Sequence, residues 1–200
     1  MKRFMLISCA LLLISAATLN AQEPRPIGSS VVEATAGNSV LQLRYLTPAP
    51  MRGAQSDLDY GLLLSENRDI IASAALMFRT NLNIIPHLTL EIGPQGYLAR
   101  LSAQQKTDVM AVAFGANARY ELLQRWRIAA FGSAFYSPGV LTFGSAHNLY
   151  DFTVGGEIGF TPRLRGLAGY RWLKFTTVGE PDVRVQNEVF AGLSWRLPPR

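Results

Sequence analysis

Apolar and polar residues alternate with a period of two along most of the chain after residue 30. In segment 57–65, DLDYGLLLS, the apolar residues at even positions are separated by residues that include Asp57, Asp59 and Gly61. Because side chains of a strand point alternately to its two faces, this pattern predicts β-strands with one apolar and one polar face. The segments with strand character lie near 31–36, 39–46, 57–66, 69–79, 87–98, 107–121, 125–136, 149–161, 164–175 and 184–197.

The connections between these segments differ in length. Tight ones are predicted at 122–124 and 161–163, and longer ones at 99–106, 137–148 and 176–183. Short turns that alternate with longer loops are typical of an antiparallel β-barrel in an outer membrane. With the longer loops on the outer side, the direction of each strand requires ten strands; eight is the alternative if some short segments are not strands. The sequence therefore predicts one all-β domain, an antiparallel transmembrane β-barrel of about ten strands.

The strand pattern leaves open whether the apolar face of the strands is buried in a core or exposed to lipid. A soluble sandwich or lipocalin-like barrel would bury the apolar face, whereas an outer-membrane barrel exposes it. The apolar faces here include many Ala and Gly residues, and the aromatic residues gather at strand ends, as in the two aromatic girdles of membrane barrels. Both features favour the membrane barrel. The predicted girdle residues are Tyr120, Trp126, Tyr136, Tyr150, Phe152, Phe160, Trp172 and Trp195, and Phe175 is also expected near the longer loops.

If the apolar faces meet lipid, the charged residues of the same strands point into the lumen. A barrel of eight to ten strands is only just wide enough for side chains to fill it, so these charges should pair. Gly155, Gly159, Gly169 and Gly192 are expected to make room for arginines, and Glu157 to pair with Arg171 or Arg119. A lumen plugged by ion pairs is thus predicted, with a narrow aqueous pore as the alternative. The predicted lumen charges are Asp59, Glu91, Arg119, Asp151, Glu157, Arg171 and Glu188.

The N-terminal residues predict export. Lys2 and Arg3 precede an apolar run of secretory length, so residues 1–21 are interpreted as a signal peptide and 22–200 as the barrel domain. Cleavage is expected after Ala21, or after Ala17. Cys9, the one cysteine of the chain, lies inside this run, which leaves no disulfide or thiolate site in the mature protein. Without Lys2 and Arg3 there remain 17 basic residues against 14 acidic ones, too dispersed for nucleic-acid binding.

Two stretches resemble a known family. FGSAFYSPGVLTFG (131–144) and RGLAGYRWL (165–173) are similar to the corresponding regions of YfaZ-type proteins. This resemblance implies a small outer-membrane barrel of a Gram-negative bacterium without an established biochemical activity. The end of the chain also resembles a barrel-assembly signal, with Gly192, Trp195 and Leu197 spaced Gly-x-x-aromatic-x-apolar. We therefore expect Sec-type export to the periplasm and insertion by the barrel-assembly machinery.

Candidate chemistry outside the predicted ion pairs is sparse. Ser145, His147 and Asp151 could form a hydrolytic constellation at the outer rim, as in lipid-modifying barrel enzymes, but an ordinary polar loop is the better explanation. We expect no enzymatic activity, no cofactor and no metal site. Besides the lipid bilayer, lipopolysaccharide is a possible partner, since basic residues near the outer loops could meet its phosphates. These residues are Arg100, Lys106, Lys174 and Arg184.

Overall fold

The computed structural model describes residues 29–49, 51, 54–80, 85–102, 107–144, 146–177 and 182–198. The predicted signal peptide lies outside these residues. The strands are β1 Val31–Ala36, β2 Val40–Pro48, β3 Ser56–Ser65, β4 Ile70–Thr80, β5 Leu88–Leu101, β6 Thr107–Leu123, β7 Ile128–Ser137, β8 Thr142–Gly144, β9 Ala146–Gly159, β10 Leu164–Thr177 and β11 Val183–Arg196. Short 3₁₀ turns lie at Gln124–Trp126 and Gly139–Leu141.

Ten of these strands form a closed antiparallel barrel. Each strand pairs with its neighbour in the chain, apart from β8, and two further pairings complete the ring. β7 pairs with β9 directly, and β1 pairs with β11 in register Val31↔Arg196. β8 is a three-residue strand that pairs with β6 at Val109–Ala111, beyond the end of β7. The predicted ten-stranded barrel is confirmed, because each of the ten barrel strands pairs with a strand on both sides.

The barrel has two ends of different character. We call "turn end" the one that holds the connections β2–β3, β4–β5, β6–β7 and β9–β10, together with the start of β1 and the end of β11. The opposite "loop end" holds the β1–β2 and β3–β4 turns, the β5–β6 and β10–β11 loops, and the segment with β8. At the turn end, β6 continues to Leu123, one residue past the start of the predicted turn, and Arg127 closes the turn with φ 52°.

The exterior of the barrel is apolar on all ten strands. Its exposed side chains include Val32, Leu43, Leu62, Ile70, Leu98, Phe114, Tyr136, Val154, Tyr170 and Val189, one from each barrel strand. Within strands the exposed and enclosed positions alternate, as in β2, where Leu41, Leu43 and Tyr45 are exposed between less exposed residues. The period-two pattern therefore places lipid-facing residues outside and the other face inside.

Within the described residues, no helix is long and apolar enough to cross a membrane.

Candidate functional site in the barrel interior

The charged residues on the turn-end half of the interior form ion pairs with one another. Glu157 accepts hydrogen bonds from Arg119 Nε at 2.7 Å and Arg165 Nη1 at 2.8 Å, and Arg119 also donates to Glu121 at 2.8 Å. Glu157 is 9% exposed, so its charge is compensated mainly by these two guanidinium groups. Of the two predicted partners of Glu157, Arg119 contacts it and Arg171 does not; Arg165 was not foreseen.

Two further arginines, on the opposite side of the barrel, each form ion pairs with two carboxylates. Arg44 on β2 pairs with Asp59 and, at 3.4 Å, with Glu33. Arg79 on β4 donates from Nη2 to Asp57 at 2.9 Å and to Glu91 at 3.4 Å. These cross-strand sets bring together residues from β1 to β5 because inward positions of adjacent strands lie side by side.

Asp151 is the centre of a hydrogen-bonded group that spans the lumen. Its carboxylate accepts from Arg171 Nε at 2.9 Å, from Arg171 Nη2 at 2.7 Å and from the Tyr97 hydroxyl at 2.8 Å. Arg171 Nη1 donates to Gln42 Oε1 at 2.6 Å. The four residues come from β2, β5, β9 and β10, so the group joins opposite walls of the barrel. We call it the central layer: Gln42, Tyr97, Asp151 and Arg171.

Apolar side chains fill the interior on the loop side of the central layer. Leu149, Leu173 and Phe175 are fully buried there, and Leu101 is 1% exposed. The same cluster includes Val40, Leu63, Ile71, Val109, Val183 and Val185. Sequence reasoning missed this cluster, because the lumen was expected to be filled by paired charges. The available signal was the run of apolar residues on both faces near the loop ends, such as Leu62, Leu63 and Leu64.

A cavity of about 270 Å³ lies on the turn side of the central layer. Asp151 and Arg171 lie at its inner limit, and Arg163 and Arg196 line it at the turn end. Its wall also contains Phe131, Phe135 and Phe190 besides the ion-paired residues described above. The interior is therefore divided in two, with apolar packing towards the loops and a polar cavity towards the turns.

Three of the four interior glycines do not make room for arginines, which corrects the expectation, and two of the three lie under phenyl rings. A Cβ on Gly155 would come within 2.6 Å of Phe131 Cζ, and one on Gly169 within 2.8 Å of Phe190 Cζ. Each ring lies over the glycine directly across from it in the register. A Cβ on Gly192 would meet β1 at Thr35. Gly159 alone makes room for an arginine, since Arg127 Cβ lies 2.8 Å from its ideal Cβ position.

All seven predicted lumen charges lie on the inward face, although they do not form one site. Asp59, Glu91, Arg119 and Glu157 belong to the turn-side ion pairs, and Asp151 and Arg171 to the central layer. Glu188 lies at the loop end, where it accepts hydrogen bonds from the backbone N–H and the hydroxyl of Ser39, both at 3.1 Å. Glu188 therefore holds the β1–β2 turn in place through Ser39.

The predicted girdle residues lie on the exterior, with one correction. Tyr120, Trp126, Phe160 and Trp195 are exposed at the turn end. Towards the loop end, Phe152 stacks on Trp172 at 5.5 Å between ring centroids, and Tyr150 lies 6.0 Å from Trp172 and 5.0 Å from Tyr136. Phe175, expected in this girdle, points inward and is fully buried. It shares the inward face of β10 with Arg171 and Leu173, four and two residues before it.

Asp151 and His147 of the possible hydrolytic constellation lie in different environments. Asp151 lies inside the barrel and binds Arg171 and Tyr97. His147 is exposed, with its ring beside Gly139. Ser145 lies outside the described residues. Because the carboxylate of Asp151 is fully engaged in the interior, it cannot orient His147 as a triad acid would. Among the described residues, no group of three or more His, Cys, Asp or Glu side chains is arranged to hold a metal ion.

Two of the four basic residues predicted near the outer loops pair with acids. Arg100 Nε donates to Asp108 at 2.9 Å, with both side chains exposed. Lys174 pairs with Asp182, and this hydrogen bond lowers the pKa of the Asp182 carboxyl. Arg184 is exposed, and Lys106 lies outside the described residues. Two of the four residues expected to meet lipopolysaccharide phosphates thus pair with an acid of the same end of the barrel.

A comparison with protein families decides the family. A family model described as YfaZ precursor matches residues 1–197. The chain belongs to the YfaZ family. This confirms the resemblance noted in the sequence, and the word precursor agrees with the predicted signal peptide. With an apolar exterior on every barrel strand, this YfaZ-family protein is an exported outer-membrane β-barrel.

Three solved structures are similar to this YfaZ-family barrel. A bacterial polysaccharide outer membrane secretin has 11% sequence identity and a TM-score of 0.47, over 83% of this chain and 58% of that chain. KdgM porin has 9% identity and a TM-score of 0.43, over 85% and 99%. KdgM porin in complex with disordered oligogalacturonate has 10% identity and a TM-score of 0.41, over 85% and 99%. Each likeness is one of fold alone. No curated protein matches the chain.

Proposed function

We propose that the protein is a non-conducting outer-membrane barrel with a structural or interfacial role. The observation that supports this is the packing on the loop side of the central layer, where Leu149, Leu173 and Phe175 are fully buried. A hydrated ion pays a large desolvation cost in an apolar interior, so closely packed Leu and Phe oppose conduction. These residues belong to barrel strands, so their backbones are held in place by strand pairing on both sides.

The partners in this proposal are the bilayer and the export pathway. After Sec-type export to the periplasm, the barrel-assembly machinery would insert the chain, with Gly192, Trp195 and Leu197 as its recognition signal. In the membrane, the apolar exterior contacts lipid, and Arg184 is the basic loop-end residue best placed for lipopolysaccharide phosphates. The proposal includes no enzymatic activity, since Asp151 is engaged with Arg171 and Tyr97.

Conductance in planar bilayers tests the closed lumen. Purified wild-type protein is expected to give no steady channel openings at any applied voltage that the bilayer tolerates. The matched variant Leu149→Ala/Leu173→Ala removes two fully buried side chains from the apolar cluster and should produce measurable openings if the cluster is the barrier. Steady openings of the wild-type protein would overturn the proposal.

A narrow channel for ions or small solutes is the second candidate function. It is favoured by one observation, the polar cavity of about 270 Å³ that reaches the turn end. For this candidate, the apolar cluster would have to open. Wild-type conductance that is lost when the cluster is held closed by a disulfide across the loop side would support the channel and exclude the non-conducting barrel.

A further inference from the structure

Near the loop end, the exterior of β10 and β11 holds two cations side by side. Lys174 on β10 has Arg184 on β11 as its direct partner across the strands. Lys174 lies between the fully buried Leu173 and Phe175, and Arg184 is exposed, so both side chains belong to the exterior. Like charges directly opposite each other on neighbouring strands are destabilising. The pair therefore favours an anion beside the two groups.

A β-bulge creates this pairing of like charges. The register between β10 and β11 shifts after Leu173, which faces Gln186, so that Lys174 faces Arg184. Without the shift, Lys174 would face Val185, which is buried. Bulges re-aim side chains and are over-represented next to functional sites. Here the bulge brings Arg184 to the exterior, directly opposite Lys174.

One carboxylate belongs to the same cluster and leaves it with a net positive charge. Lys174 Nζ pairs with Asp182 Oδ2, and the side chain of Asp182 is 41% exposed. An ammonium group has three donors, so the bond to Asp182 does not exhaust Lys174. Arg184 supplies the second positive charge. The exposed Arg100 on β5 differs, because its direct partner on β6 is Asp108 and the pair is neutral.

Aromatic rings adjoin the two cations on the same exterior face. Lys174 has Tyr150 on β9 as its other direct partner, and Tyr150 faces Tyr136 on β7. One row closer to the turn end, Phe152 stacks on Trp172 with 5.5 Å between ring centroids. Amphipathic aromatic rings of membrane barrels lie at the level of the lipid headgroups. The cations therefore lie at headgroup level, and the stacked rings offer acyl chains a surface on the turn side.

The position and the charge of this face together favour a phosphorylated lipid. A free anion would leave the stacked rings without contact, and a neutral lipid would leave the two cations without an acceptor. The longer loops place the loop end on the outer side of the membrane, where lipopolysaccharide is the lipid. A phosphate monoester, the form found in lipid A, carries a charge of about −1.5 to −2 at pH 7 and matches two cations better than a phosphodiester does.

We propose that Lys174 and Arg184 bind a phosphate group of lipid A, the lipid anchor of lipopolysaccharide, and that its acyl chains lie on Phe152 and Trp172. This site rests on the interfacial role proposed above and adds to it one defined face of the barrel, from β9 to β11. Both cations donate charge-assisted hydrogen bonds to the phosphate oxygens. The carboxylate of Asp182 weakens the attraction, because it lies beside the same phosphate.

Native mass spectrometry of the purified, refolded barrel in detergent micelles tests this site by counting the bound lipids during a titration with lipid A. Saturable binding of lipid A is the expected result. Lipid A without its phosphates and phosphatidylglycerol should each bind at least about fivefold more weakly. Equal binding of lipid A without phosphates would overturn the proposal. Equal binding of phosphatidylglycerol would overturn the assignment to lipid A.

Three variants locate the site on the barrel. Lys174→Gln and Arg184→Gln should each weaken lipid A binding by about fivefold or more, because each removes one contact to the phosphate. Asp182→Asn should strengthen binding, because it removes a negative charge beside the phosphate. Arg100→Gln is the matched control, since it removes the same charge as Arg184→Gln from a neutral pair at the loop end and should leave binding unchanged.

Gel migration with and without heating shows that each variant still folds. If Lys174→Gln and Arg184→Gln bind lipid A as the wild type does, the site is refuted and the closed barrel is not affected. Steady openings of the wild-type protein in planar bilayers would refute the closed barrel and leave the site unaffected. The two failures are therefore distinguishable.

Discussion

Replacing Arg171 with methionine should be among the most destabilising single changes in this barrel. Arg171 donates two hydrogen bonds to Asp151, at 2.9 and 2.7 Å, and one to Gln42 at 2.6 Å. Methionine fills similar space but leaves Asp151, which is 3% exposed, with the Tyr97 hydroxyl as its remaining donor in the central layer. Removing one partner of a buried ion pair costs about 3–5 kcal/mol, because the other charge stays desolvated.

The free energy of unfolding can be measured by urea titration of the barrel in detergent or lipid vesicles. Tryptophan fluorescence reports the unfolding transition, because Trp126 and Trp195 lie exposed on the barrel exterior and move from detergent or lipid into water on unfolding. Adding Asp151→Asn to Arg171→Met removes the stranded charge and keeps an acceptor for Tyr97. This double variant should recover most of the lost stability.

The matched control is Arg100→Gln, which breaks an exposed ion pair at the loop end and should leave the unfolding midpoint unchanged. If Arg171→Met unfolds at the same urea concentration as Arg100→Gln, the central layer is not the buried pair described here. The reasoning would also fail if the double variant were less stable than Arg171→Met alone.

Three further predictions concern other parts of the interior. Phe175→Ala leaves a cavity in the apolar cluster and should cost about 3–5 kcal/mol in urea unfolding, whereas the loss should be much smaller if Phe175 faced lipid as a girdle residue. Gly155→Ala places a Cβ 2.6 Å from Phe131 Cζ and should lower the melting temperature of the barrel. Gly156→Ala is the control and should leave the melting temperature unchanged, because its Cβ meets nothing nearer than 3.8 Å. Equal effects of the two variants would contradict the packing of Phe131 on Gly155. Glu157→Gln should lower the free energy of unfolding by about 2 kcal/mol in the same urea assay, because two arginines lose their shared carboxylate. The same variant should leave conductance unchanged. A change in conductance without a change in stability would instead make Glu157 a pore residue.

Sequence reasoning succeeded where local geometry decides the outcome. The alternation of apolar and polar residues predicts strands, and strand parity then separates inward from outward positions. The ten-stranded barrel followed from counting strand directions between short and long connections. The main additions are small: β8 is too short to show a periodic pattern, and β6 extends to Leu123.

Phe175 shows where the same reasoning failed. Its position next to a long loop suggested a girdle residue, but its parity with Arg171 places it inside. The parity was readable in the sequence, but the lumen was expected to contain charged residues, so an inward phenyl ring was not considered. Aromatic residues at strand ends have two possible sites, the lipid interface and the plug of the barrel, and composition does not distinguish them.

Strand periodicity thus specifies which residues enter the barrel, because it depends only on the geometry of one strand. The contacts made inside depend on closure of the ring and on the stagger between strands, which bring together residues such as Tyr97 and Asp151 that are 54 positions apart. The same closure pairs Glu157 with Arg119 and Arg165 and leaves Arg171 to Asp151. Partner choice inside the barrel is a long-range property, and only the folded ring defines the apolar cluster, the central layer and the cavity beside it.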